Sequence, residues 1–277
     1  YDLLFMGDNG SNGASCEALL PLMQDGAITQ GWGGSLFFVA ALWDPTMQTV
    51  VDKDPATTGN SWSGMRVRPQ FVEKFFTKPN VVVGKKTSEL RAMNIDDRAL
   101  LWGKGTDEGK RTLSVVDNDK FIKGIATTKW NNNYSNNGTP HDNFCVDTDF
   151  FLFRVAEAYL NAAEAEMHLN GESSAKAKKY IDALRNRAHA AVRASYTLND
   201  VLDERARELY CEGLRRTDLI RFNQFGGSQA TYNWELKGGS TNGTTFAKAY
   251  NVYPLPSSEV LSNKNLTQID GYNEVQN

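Results

Sequence analysis

Cysteine is scarce and unpaired. The three in the chain, Cys16, Cys145 and Cys211, fall at no close pairing and no metal-ligand spacing, which excludes a disulfide framework. Cys211 lies inside a helical pattern and reads as a buried thiol. Charge of one sign is missing too: the net charge is −3 and the pI about 5.7. That leaves no electrostatic footprint for nucleic acid and no basic face for anionic lipid. No apolar run approaches the roughly 18 residues that span a bilayer as a helix. The three histidines, His141, His168 and His189, show neither triad nor metal-ligand spacing. Gly-x-Ser-x-Gly, Walker, dinucleotide and His-Glu-x-x-His signatures are absent, so no organic cofactor is expected. Carboxylates are plentiful, but no pair stands out as a glycosidase acid and base. The first residues, YDLLFMGDNG, carry no initiator Met, basic stretch or apolar stretch, and read as a chain entered partway.

What is present is an ordinary folded composition, 40% hydrophobic and 23% charged over 277 residues, enough for a sizeable core. It is organised around Phe150 to Leu169, FFLFRVAEAYLNAAEAEMHL. Apolar or small residues fill most positions, and Arg154, Glu157, Asn161 and Glu164 recur at helical spacing as one narrow polar stripe. A helix apolar on most sides is packed on most sides, so the stripe must meet charged partners. The charge-dense run from Glu204 to Arg221 is the candidate. Asp149 is placed to cap the helix start and Asn170-Gly171 to end it. A second helix follows from about Ser174 to Ala190, with Ala177, Ile181, Leu184 and Ala188 on one face. The two form a hairpin resembling one tetratricopeptide-type unit. Thr197 to Asp200 reads as a capping box that opens a third helix, expected to run to about Phe222.

Residues 1–149 differ. Gly, Asn, Asp, Thr and Trp are frequent and helical periodicity is mostly missing, so this is a loop-rich region. Leu36 to Trp43 fits a short strand or a buried helix, and periodicity does not separate the two. Pro69 opens a short helix through Phe76. Ser114 to Val116 and Phe121 to Thr127 read as strand fragments, and residues 130–143 as a loop. The chain divides into 1–149, a loop-rich binding region; 150–225, the helical hairpin and charged helix; and 226–277, a tail read as a strand leading into coil packed on the same domain.

Loops bearing tryptophan suit a carbohydrate, because flat indoles pack on the C–H faces of sugars. Trp32, in Gly-Trp-Gly-Gly, is the best platform. Trp43 follows an apolar run and fits either a platform or the core. Trp62, beside Arg66 and Arg68, is read as structural. Asp147 and Asp149 offer carboxylates to a calcium ion; the bland alternative is a helix cap at Asp149 and a solvated Asp147.

FLFRVAEAYLNAAEAEMHLNG, YIDALRNRAHA, DERARELYCEGLRRTDLIRFNQF, YPLPSSEV and NLTQIDGY, in that order, resemble the C-terminal half of the SusD/RagB family. LLPLMQDG, GWGGSLFF, SWSGMRVRP, DDRALLWGKG and DTDFF are similar to its starch-binding branch. The tail departs at Gln268-Ile269-Asp270-Gly271-Tyr272, where the family has Asn-Pro before Gly-Tyr. The resemblance implies a mainly α, tetratricopeptide-like fold with long loops and minor β-hairpins. It implies a non-catalytic binder of starch-like α-glucan, lipid-anchored on the outside of the outer membrane, with the anchor in an N-terminal part outside this sequence. The implied partner is a SusC-like TonB-dependent transporter. It implies further that Trp32 belongs to an arc of aromatics and that Asp147 and Asp149 serve a structural calcium. A glycoside hydrolase and a purely structural scaffold are the competing readings.

Overall fold

A computed structural model of the chain describes residues 1–55, 61–93, 96–105, 109–117 and 119–272. Its regular elements are mostly helical. In order they are β1 (Ala18–Leu22), α1 (Ser35–Leu42), α2 (Pro69–Val72), α3 (Thr87–Met93), β2 (Leu101–Trp102), β3 (Ala126–Thr127), β4 (Phe150–Arg154), α4 (Val155–Asn170), α5 (Ala175–Arg187), α6 (Leu198–Leu209), α7 (Arg215–Arg221) and α8 (Ser257–Ser262). They fall into two compact units, Tyr1–Glu212 and Gly213–Asn277.

In the first unit α4 packs against both α5 and α6. Ala156, Leu160, Ala163 and Met167 are its buried face, and Ala177, Ile181 and Leu184 are that of α5. The turn between them follows from local chemistry. Gly171 ends α4 at φ 83°, and the Ser174 hydroxyl accepts the Ala177 amide to start α5. The capping box forms as read: Thr197 Oγ1 accepts the Asp200 amide at 3.1 Å and the Asp200 carboxylate accepts the Thr197 amide at 2.9 Å.

Several expectations are corrected. Phe150–Arg154 is not the first turn of α4 but a strand, pairing antiparallel with β1 from Ala18↔Arg154 to Leu22↔Phe150. A run of aromatic residues suits a pleated surface, and its partner lies far away in sequence. Asp149 therefore caps nothing; Arg154, in extended backbone, holds that position. Leu36–Trp43 resolves as helix α1. Pro69 is at the first position of α2, which stops at Val72. Ser114 to Val116 form no strand, and of Phe121 to Thr127 only Ala126–Thr127 pairs in a strand, with β2. In the second unit the described tail carries α8 rather than a strand.

The helix expected over 197–222 breaks after Leu209. Cys211 at φ 56° and Gly213 at φ 82° turn the chain through left-handed backbone. Cations collect at the break: Lys129 Nζ donates to the carbonyls of Glu208 (3.3 Å) and Tyr210 (2.5 Å), and Arg154 Nη2 to that of Glu208 (2.8 Å). Positive charge is favourable at a helix C-terminus, where carbonyls lack partners. Burial pushes the Lys129 ammonium down to about 8 although Glu212 opposes it.

The polar stripe meets its partners. Arg154 pairs with Glu208 (2.6 Å), Glu212 (2.7 Å) and Glu17 (2.7 Å). Arg205 reaches Asn161 (2.7 Å) and, at 4.0 Å, Glu157. Glu204, buried on α6, takes Arg98, Arg185 and Arg207 at 2.6–2.7 Å. Burial alone would raise the Glu204 carboxyl, but those three guanidiniums outweigh it and hold it down to about 2. The unfolded chain takes up this proton first, near 4.5. The stabilisation is therefore full above that pH and is lost as pH falls toward about 2. Urea unfolding at pH 5 and pH 2.5 should differ by on the order of 2 kcal/mol from this group alone, and Glu204→Gln should flatten the difference. An unchanged slope in that variant would show that Glu204 does not carry it.

Candidate functional site

The aromatic surface forms around α1. Trp32 stands 70% exposed between Gly31 and Gly33, beside which a side chain would meet open space. Gly34, at φ 62°, turns the chain into α1, and Phe37 in its first turn is exposed. The other end of α1 places Trp62. The amides of Trp62, Ser63, Gly64 and Met65 donate to the carbonyls of Ala40, Trp43 and Ala41 at 2.7–3.0 Å, satisfying acceptors that a helix end leaves bare. Segment 62–65 is thus tied to the helix, and Trp62 is 39% exposed. The rings of Trp32 and Trp62 lie 6.2 Å apart at 36°, and Phe37 meets Trp62 edge-on at 6.0 Å. Phe37 also lines a shallow apolar groove with Leu22, Phe38, Phe150 and Leu152.

Trp43 is not part of this surface. It is fully buried, and its indole N–H donates to the Trp130 carbonyl at 2.6 Å. Of the two readings its position allowed, the core wins, because Phe38, Trp130 and Phe150 stack into one aromatic layer around α1. Trp62 and Phe37 were missed as surface aromatics. The one available signal was the Ser-Trp-Ser-Gly setting of Trp62, small and polar like that of Trp32.

Asp147 and Asp149 lie below the loop that carries Trp32. Asp149 Oδ1 accepts the Gln24 amide at 2.8 Å, and burial pushes its carboxyl up against that bond. Asp147 Oδ1 accepts the Gly26 amide at 2.7 Å; its Oδ2 accepts the His141 amide at 2.9 Å and the Tyr134 hydroxyl at 3.2 Å. Burial, then Asp147, push that phenol up to about 12. The segment is itself clamped. Asn9 exchanges two 2.9 Å bonds with the Asp149 backbone, and Asn132 Oδ1 accepts the Asp147 amide at 2.8 Å.

Among the described residues, the donor group that could converge on a cation is Asp25, His141 and Asp147, and Asp149 is not in it. Calcium takes six to eight oxygens. Here one of three ligands is an imidazole nitrogen, and both Asp147 oxygens already accept N–H or O–H donors. The donor set fits calcium poorly.

A model of the SusD family matches residues 41–272. Starch-binding protein SusD of Bacteroides thetaiotaomicron is 35% identical, over 98% of this chain and 52% of its own length. A SusD superfamily protein from Parabacteroides distasonis superposes with a TM-score of 0.64 at 16% identity, covering 98% of this chain and 53% of that one. Surface glycan-binding protein A from Bacteroides thetaiotaomicron, in complex with laminarihexaose, gives 0.54 at 19%, covering 91% and 51%. The chain spans about half the length of the relatives it matches. The mainly helical architecture agrees with both solved structures, and the family match runs from the last residues of α1 through the helical layer to the described tail: the chain belongs to the SusD family.

Proposed function

We propose that the protein binds a starch-like α-glucan without cleaving it, on the outer face of the outer membrane, and passes it to a SusC-like TonB-dependent transporter. The observation that carries the reading is the exposed Trp32–Trp62–Phe37 surface. Indole faces pack on sugar C–H surfaces while leaving hydroxyls in water. Two indoles inclined by 36° suit a chain that curves, as α-1,4-linked glucose does, better than a flat one. The 35% identity to a protein named for starch binding supports the same substrate class. In the whole protein a lipid anchor holds this surface at the membrane.

Calorimetric titration of maltoheptaose into the wild type and Trp32→Ala tests the site. Loss of a central aromatic anchor is expected to weaken binding by about ten- to a hundredfold, or ~1–3 kcal/mol; equal affinity in the two proteins removes Trp32 from the site. Prolonged incubation with starch should release no reducing ends. Released ends that vanish on mutating one carboxylate would replace binding with hydrolysis. Laminarihexaose in the same titration reports the linkage, and a preference for it over maltoheptaose would overturn the α-glucan assignment.

A further inference from the structure

We infer that Asp147 and Asp149 are positioning residues of the glycan platform, holding the Trp32 loop by its backbone amides where calcium was expected. Its binding arm rests on the reading just proposed; its loop arm does not.

The loop runs from the end of β1 to the start of α1, and two carboxylates fix its first part. Gln24 and Gly26, two residues apart, donate to Asp149 and Asp147. Both bonds are charge-assisted, the stronger kind. Gly26 lies so close to the 145–149 segment that an added Cβ would come within 2.6 Å of the Cys145 carbonyl. The loop is therefore seated on backbone as well as tethered by side chains. From that seat the next residues stitch themselves. The amides of Ile28 and Thr29 donate to the Asp25 carbonyl, the Asp25 amide donates to Thr29 Oγ1, and Gln30 Nε2 donates back to the Gly26 carbonyl at 3.2 Å. Only Gly31, Trp32, Gly33 and Gly34 then separate this closed turn from α1. Three glycines leave the tryptophan with little local restraint, so its place beside Trp62 depends on the two ends. One end is the helix and the other is the carboxylate seat. The seat rests in turn on Asn9 and Asn132, both fully buried. This gives two acidic residues in one buried stretch a role without a cation: one oxygen of each carboxylate accepts an amide of the loop, and the second oxygen of Asp147 accepts the His141 amide and the Tyr134 hydroxyl.

Asp147→Asn tests the assignment. An amide offers one acceptor oxygen and puts a donor where an N–H now points, so either the Gly26 or the His141 amide loses its acceptor, and in both cases the bond to Gly26 loses its charge assistance. Hydrogen exchange of the peptide covering 23–34 should accelerate by about tenfold or more, consistent with local opening, while peptides of α4 and α5 keep wild-type rates. EDTA should leave wild-type exchange unchanged. In maltoheptaose titrations Asp147→Asn should weaken binding about tenfold by loss of preorganisation, and should have no further effect in the Trp32→Ala background. A residue with a merely structural role would cost the same in both backgrounds. Should Asp147→Asn fail to fold, Gly26→Ala unseats the loop from the other side with both carboxylates intact, and the same exchange signature is expected. Unchanged exchange over 23–34 in the variants, equal binding losses in both backgrounds, or an EDTA effect matching the substitution would each overturn the inference. If the wild type binds no maltooligosaccharide, the proposed function falls and the exchange arm still decides this one.

Discussion

Arg154→Ala should destabilise the protein by ~3–5 kcal/mol, read as a shift in the urea midpoint. The guanidinium is 2% exposed. It makes five hydrogen bonds: two to the Glu212 carboxylate, one to Glu208, one to Glu17 and one to the Glu208 carbonyl. An arginine has five N–H donors, so its capacity is filled. Truncation leaves Glu208, buried and held well below the ordinary carboxylate range against its own burial by Arg154, Arg187 and Arg98, with one cation fewer. It also leaves Glu212 with Lys129 alone. The cost is that of stranded buried charge rather than the worth of one ion pair. Arg193→Ala is the control. Arg193 pairs with Asp200 at 2.5 Å but is about half exposed, and its loss should cost under ~1 kcal/mol. Similar shifts for the two variants would mean that the network is wetter than its geometry.

Trp43→Ala should cost ~3–5 kcal/mol as well, by opening a large cavity, and it also removes the donor to the Trp130 carbonyl. Trp32→Ala should leave stability within about 0.5 kcal/mol of wild type, because its ring is mostly in water. The two substitutions thus separate in opposite senses, one in thermal unfolding and the other in glucan titration. A Trp43→Ala protein that melts with the wild type would place that indole outside the core.

The difference between these tryptophans shows where sequence reading stops. Glycines on both sides of Trp32 exposed it by local chemistry alone. Trp43 ends an apolar run that fits a strand or a helix, and which face met the core was set by Trp130, far along the chain. The same holds for the helices. The hairpin turn and the Thr197–Asp200 cap are written in adjacent residues and were legible. The stop after Leu209 depends on Lys129 and Arg154 reaching its carbonyls, and the strand at Phe150–Arg154 on β1. Neither partner is near in sequence. Likewise Asp147 and Asp149 stand out in the sequence as two carboxylates in one stretch, but the amides of Gln24 and Gly26 that occupy them come from a segment distant in sequence.

The pairing of Ala18–Leu22 with Phe150–Arg154 also has a temporal consequence. Contacts between residues so distant are late and slow to form. On the ribosome β1 emerges first and waits for its complement, for on the order of ten seconds at about 5–20 residues per second. Leu19, Leu20 and Leu22 remain without their partner strand throughout. Pro21, in the middle of that nascent strand, offers no amide for a neighbouring chain to pair with, so the waiting segment is a poor template for aggregation before its own partner is made.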